Sequence, residues 1–168
     1  MKLKLSELSS NFEDKSFLIL VKDLPERGTT FTGSSVKGRL SVISVKDGFN
    51  FSGKINAKPS YECVRCLKQT LDNLSFHFDF LLSTKKDLIT KQEIDVVYFP
   101  KGNDTIYLNG IFADMIELKR PMNPICNKEC KGLCPICGIN QNKAICSCKQ
   151  KNDSTVWDEL KKLNLEKF

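Results

Sequence analysis

Apolar and polar residues alternate most clearly over residues 74–82, where Leu74, Phe76, Phe78, Phe80 and Leu82 recur at every second position. That period of two predicts a β-strand with one buried face, and makes the phenylalanine stripe core and not a base-stacking platform. His77 and Asp79 fall on the opposite, solvent-facing side. Shorter β-branched or partly alternating runs at residues 16–22 and 36–46 predict two more strands. Asp47-Gly48 predicts a hairpin turn into a strand over residues 49–57, expected to run on to Tyr61-Glu62-Cys63. Two short strands are expected at residues 94–99 and 105–108, with a turn at Lys101-Gly102-Asn103-Asp104 between them.

The period changes after Asn109. Ile111, Phe112, Met115, Ile116 and Leu118 form a helical stripe, with Asn109 as its expected N-cap and Pro121 as its stop. A second amphipathic helix is expected from about Thr155, with Val156, Trp157, Leu160 and Leu163 on one face. The predicted fold class is α+β: a mainly antiparallel β body with one or two packed helices and a cysteine-rich, zinc-binding C-terminal module. The boundaries are 1–118 for the body, 119–151 for the module, with Cys63 and Cys66 contributed from the body, and 152–168 for the last helix.

With 168 residues, 40% of them hydrophobic, the chain can supply one ordinary core plus a small appendage. No apolar run approaches the roughly 18 residues of a membrane span, so no membrane partner is expected. The N-terminal leucines are interrupted by Lys2, Lys4 and Glu7, unlike a secretory signal. A soluble protein of a bacterial cytoplasm, or of an organelle stroma if it is plastid-borne, is expected.

Charge is unevenly placed. The net +6 arises almost entirely in residues 119–151, which hold seven basic side chains and one acidic. The same segment carries Cys126, Cys130, Cys134, Cys137, Cys146 and Cys148, and Cys63 and Cys66 lie upstream. A reducing compartment disfavours disulfides, so metal ligation is the better reading of these thiols. Cys63-Val64-Arg65-Cys66 and Cys134-Pro135-Ile136-Cys137-Gly138 have the two-residue gap with which a tight turn presents two thiolates to one tetrahedral ion. Eight thiolates suit two closed four-sulfur zinc sites, structural because no ligand position remains open. Iron–sulfur ligation uses the same ligands and stays an alternative. A thioredoxin-like role for Cys63 and Cys66 would require a βαβ context that the pattern lacks.

The preferred pairing joins Cys63 and Cys66 with Cys134 and Cys137, leaving Cys126, Cys130, Cys146 and Cys148 to the other site. The alternative joins Cys63 and Cys66 with Cys126 and Cys130 and closes the second site within the tail. Lys119, Arg120, Lys128, Lys131, Lys143, Lys149 and Lys151, with Arg65, are candidate RNA-contacting residues. They also offset the charge of roughly −2 that each zinc–tetrathiolate carries. No nucleophile–histidine pair, phosphate-cradling glycine loop or paired acidic motif is present, so no enzymatic activity is expected.

Cys63-x-Arg65-Cys66-Leu67, Pro121-Met122-x-Pro124-x-Cys126, Cys130-Lys131-Gly132-Leu133-Cys134-Pro135-x-Cys137-Gly138-x-Asn140-x-Asn142 and Cys146-x-Cys148 closely resemble the YceD family over about residues 50–165. Its members are large ribosomal RNA subunit accumulation proteins of bacteria and plastids. The resemblance implies a non-catalytic role in the synthesis, processing or accumulation of large-subunit (23S) ribosomal RNA and in large ribosomal subunit assembly. The implied partners are that RNA or a pre-ribosomal particle, and ribosomal proteins or other assembly factors. By position it implies the eight cysteines as ligands and marks Arg65, Lys131, Asn140 and Asn142 as pattern residues. A scaffold that binds only protein, or less favourably a thiol redox protein, are the competing functions.

Overall fold

The computed structural model describes residues 1–85 and 95–148. The helix expected from Thr155 lies outside the described residues. In chain order the elements are β1 (Lys2–Lys4), α1 (Leu5–Leu8), β2 (Phe12–Leu20), β3 (Thr30–Phe31), β4 (Ser35–Val45), β5 (Gly48–Ala57), β6 (Pro59–Glu62), β7 (Gln69–Leu71), β8 (Leu74–Ser83), β9 (Asp95–Tyr98), β10 (Thr105–Tyr107) and α2 (Leu108–Leu118). The regular elements among the described residues are therefore mostly strands with few helices, the α+β class expected.

The main sheet has five strands in the order β2-β4-β5-β8-β9. Its first three pairings are antiparallel, and β8 with β9 is parallel, so the edge departs from the antiparallel expectation. The β4–β5 hairpin pairs Val45 with Gly48, so the turn centres on Lys46-Asp47, one residue earlier than expected. The strand anticipated at residues 16–22 begins at Phe12 and gives way to a 3-10 turn at Val21–Asp23.

One face of this sheet carries Val36, Leu40, Val42, Phe51, Ile55, Phe78 and Phe80, all buried. α2 packs on this face through Leu108, Phe112, Ala113 and Ile116. The Phe112 ring stacks on Phe17 at 5.1 Å and lies tilted at 5.4 Å from Phe78, while Phe51 stacks on Phe80 at 4.9 Å. These rings bring a large apolar area together in geometries that add to simple burial. His77 and Asp79 point outward, as the alternation requires.

Two local expectations are corrected. The helix is capped from Tyr107 with no side-chain cap, and Asn109 sits inside it, its Nδ2 donating to the Asp23 carbonyl at 2.7 Å. The pattern could not show that a distant carbonyl would compete for that amide. The strand after the hairpin also does not run on to Cys63. It stops at Ala57, and Pro59, which has no N–H to donate, opens β6 in a separate three-stranded sheet of order β3-β6-β7. β6 and β7 pair Glu62 with Gln69, so residues 63–68 form the loop of a hairpin.

Candidate metal centres

That hairpin loop presents the first cysteine pair. The Cys63 N–H donates to the Lys68 carbonyl and the Leu67 N–H to the Cys63 carbonyl, each at 2.9 Å, with Leu67 in the left-handed region at φ +57°. The loop thereby holds both sulfurs on its inner side, Cys63 fully buried and Cys66 nearly so.

Two backbone bonds clamp the downstream chain across it. The Val64 N–H donates to the Pro124 carbonyl and the Leu133 N–H to the Arg65 carbonyl, both at 2.9 Å. Cys126 and Cys130 lie between those anchors and so face the loop. The Cys63 and Cys130 sulfurs stand 3.9 Å apart and those of Cys66 and Cys126 3.6 Å apart. The Cys130 carbonyl also accepts from the Arg65 guanidinium at 3.1 Å.

After Leu133 the chain closes on itself. Leu133 and Asn140 form an antiparallel bridge, and Cys134 and Gly138 complete a knuckle through Cys134 N–H to Ile139 O (2.8 Å) and Gly138 N–H to Cys134 O (2.9 Å). Gly138, at φ +73°, makes the turn that a side chain would strain. Cys146 and Cys148 return to this knuckle. The sulfurs of Cys63, Cys66, Cys126 and Cys130 all lie within 4.8 Å of one another, and so do those of Cys134, Cys137, Cys146 and Cys148.

The preferred pairing is therefore corrected, and the alternative describes the molecule. Spacing identifies which two cysteines share a turn, whereas the bonds at Val64 and Leu133 decide which turns meet. None of the eight is disulfide-bonded. A tetrahedral ion with metal–sulfur bonds of about 2.3 Å needs sulfurs roughly 3.8 Å apart, and the observed 3.6 and 3.9 Å edges match. A four-iron cluster attaches each thiolate to a different iron and would hold the sulfurs farther apart. The spacing in the first cluster thus fits a single ion, and the second likewise brings four sulfurs within 4.8 Å of one another, close enough to hold a metal.

The thiols are unequal. Burial pushes the Cys63 thiol up, but backbone N–H groups of Cys126, Cys66 and Arg65 outweigh it and hold it at about 6. Backbone N–H groups of Cys137 and Ile136 bring Cys134 to about 6. Sharing protons with neighbouring sulfurs does the reverse: Cys126, beside Cys130 and Cys66, and Cys148, beside Cys137, are each pushed up to about 12. Each cluster therefore pairs a readily ionised thiol with one that a cation would have to deprotonate.

Two asparagines join the clusters. Asn142 Nδ2 donates to Cys130 Sγ at 3.3 Å, and its Oδ1 accepts from the Lys131 N–H at 2.9 Å. Asn140 Nδ2 donates to the Cys66 carbonyl at 3.4 Å, and its Oδ1 accepts from the Asn142 N–H at 3.0 Å. Their Asn-x-Asn spacing, suited to local side-chain-to-backbone turns, was the sequence signal for this network, though nothing in it named Cys130 as the target.

Among the basic candidates, Arg65 spends hydrogen bonds on the first cluster. Arg120 bonds Glu117 at 3.3 Å and lies 5.6 Å from the Tyr61 ring, and Lys119 lies 6.0 Å from the Phe76 ring. Lys128, Lys131 and Lys143 are exposed around the clusters. Lys149 and Lys151 lie outside the described residues.

Strands and few helices, with two four-cysteine clusters able to hold metal, define the class: an α+β protein with a compact thiolate centre beside its sheets. The chain belongs to the YceD family, whose model, described as large ribosomal RNA subunit accumulation protein YceD, matches residues 51–164. That span includes all eight cysteines and α2, and leaves out β1 to β4. An uncharacterized protein of Mycobacterium tuberculosis is 31% identical over 104 residues, covering 60% of this chain and 48% of the relative. The chloroplastic YCED homolog 1 proteins, named as large ribosomal RNA subunit accumulation proteins, are also similar. The Arabidopsis thaliana protein is 26% identical over 154 residues (76% of this chain, 46% of the relative), and the Zea mays protein 39% over 59 residues (34% and 20%). The chain spans about half or less of the length of these curated relatives. No solved structure gives a significant match.

Proposed function

We propose that this protein is a non-catalytic, zinc-stabilised factor for the accumulation of large-subunit ribosomal RNA, acting on that RNA or on the particle being assembled around it. Membership of the YceD family across residues 51–164 carries the reading. The action belongs to a bacterial cytoplasm or an organelle stroma; among the described residues no helix is long and apolar enough to cross a membrane.

In this proposal each cluster binds one zinc ion, which would offset about half of the thiolate charge and fix the turns without an open position for substrate. Residues 119–151 then behave as a module. Among its described residues, 119–148, the only strand-like pairing is the Leu133–Asn140 bridge, and Met122 and Ile145 are almost wholly exposed, so little apolar core supports it. Metal would supply the missing cohesion. Lys128, Lys131 and Lys143, with Lys149 and Lys151, would meet phosphate.

Depletion of the protein in its host, followed by quantifying mature and precursor large-subunit RNA, tests the role. A selective fall in large-subunit RNA is expected; unchanged levels would refute it. The exposed Met122, Ile136 and Ile145 favour a second reading, a scaffold for an assembly protein. Native partners that persist after nuclease treatment would select that reading over direct RNA contact.

A further inference from the structure

The outer face of the main sheet, opposite α2, carries a second cationic surface remote in sequence from the cysteine module. Strand register lines up Ser16, Arg39, Lys54 and His77 across β2, β4, β5 and β8, and in the next outward row Leu18, Lys37, Asn56 and Ser75. Lys37, Arg39 and Lys54 are exposed and line an open groove of about 700 Å³. A second groove of about 420 Å³ shares Lys37 and Asn56 with it and adds Lys58.

Adjacent strands run about 4.8 Å apart, so Arg39 and Lys54 are like charges placed directly opposite each other, an arrangement that weakens a sheet. Lys37 sits diagonally from Lys54. Among the described residues, two anions lie on or beside this patch: Asp14, which bonds Arg39 at 2.7 Å in the open, and Asp79, opposite Ser52 one outward pair away. Against the four cations Lys37, Arg39, Lys54 and Lys58 these two carboxylates leave the face net positive, and the exposed Asp14–Arg39 pair adds little stability. Within the sheet, this concentration of positive charge has no folding benefit.

We propose that Lys37, Arg39 and Lys54 on the outer sheet face, with Lys58 just beyond the end of β5, bind the phosphodiester backbone of single-stranded RNA. The proposal rests on the RNA reading above and adds a contact surface to it. The charge complements a polyanion, and the two grooves, which share Lys37 and Asn56, give it a track across several strands. The cations reach phosphate and not base edges, so binding is indifferent to base sequence. Each phosphate neutralised releases counterions and makes affinity fall with salt.

The test uses the full chain with zinc supplied throughout, titrated against a large-subunit ribosomal RNA transcript and against polyuridine over a series of salt concentrations. The triple variant Lys37→Gln, Arg39→Gln, Lys54→Gln is expected to lose roughly tenfold in affinity for both RNAs, and its salt slope to fall by about two. Its thermal midpoint should hold or rise, because repulsion is removed. Lys54→Glu, which can pair with Arg39 across the strands, should fold at least as well as the parent and bind more weakly. Unchanged affinity and slope in both variants would overturn the sheet-face proposal while leaving the RNA role intact. Loss of binding to the transcript alone would also overturn it, since backbone contact cannot distinguish the two RNAs. If depletion spares large-subunit RNA while the variants still lose polyuridine binding, the ribosomal reading falls and the phosphate surface stands.

Discussion

Asn142 donates its side-chain amide to the Cys130 sulfur at 3.3 Å, reaching from the second cysteine cluster into the first. The contact ties the chain between Cys137 and Cys146 to a sulfur of the first cluster. It also stabilises negative charge on a sulfur whose burial works against ionisation, and the net effect holds the Cys130 thiol below its ordinary range.

Asn142→Ala should therefore weaken metal retention at the first cluster by roughly 10- to 100-fold, the usual cost of losing a group that orients a ligand. Competition against a graded series of chelators would show one of two bound ions released earlier than in the parent. Equal release of both would mean that the amide is incidental.

Metal removal should act regionally. Chelation is expected to deprotect residues 119–148 in hydrogen exchange while β4, β5 and β8, which hold their own aromatic core, remain protected. In the same assay Cys63→Ser should free the segment that follows Pro124, leaving one ion in the knuckle cluster. A uniform rise in exchange would show that the body depends on the metal too.

Acid should oppose metal binding. Cys126 and Cys148, each held at about 12 by neighbouring sulfurs, must lose protons to become ligands. Metal uptake at neutral pH then releases protons, so affinity, and the stability it lends, rises with pH and falls on acidification. Calorimetry in two buffers of different ionisation enthalpy would measure the release; identical heats would contradict it.

Gly132 lies at φ +78°, and a Cβ there would stand 3.0 Å from the Arg65 carbonyl oxygen, the acceptor of the Leu133 N–H. Gly132→Ala is expected to cost about 1–2 kcal/mol, from the left-handed backbone alone. The loss should appear as easier chelator-induced opening of residues 119–148, whereas Gly110→Ala, whose Cβ would meet nothing within 4 Å, should leave that opening unchanged.

Phe112 joins α2 to the sheet through rings on two strands, Phe17 and Phe78. Phe112→Ala should destabilise the body by about 3–5 kcal/mol in urea denaturation, through lost burial and the cavity left behind. Metal content of the folded fraction should stay at the parental value.

Much of this organisation was legible in local pattern. The alternation of Phe76, Phe78 and Phe80 marked β8 and its buried face, the stripe through Phe112 and Ile116 marked α2, and the two-residue gaps marked the turns that hold sulfurs. Such features depend on neighbours within a few positions, where backbone periodicity and turn chemistry act directly. The parallel placement of β9, the transfer of the chain at Pro59 into a second sheet, and the diversion of Asn109 from capping to the Asp23 carbonyl depend on partners far along the chain. The cysteine pairing shows the division most plainly. Spacing set the pairs, but only the folded backbone, binding Val64 to Pro124 and Leu133 to Arg65, brought Cys126 and Cys130 over the β6–β7 loop and left Cys134 and Cys137 to close with Cys146 and Cys148. A thiolate turn has no intrinsic preference among identical turns; hydrogen bonds formed over long loops choose its partner.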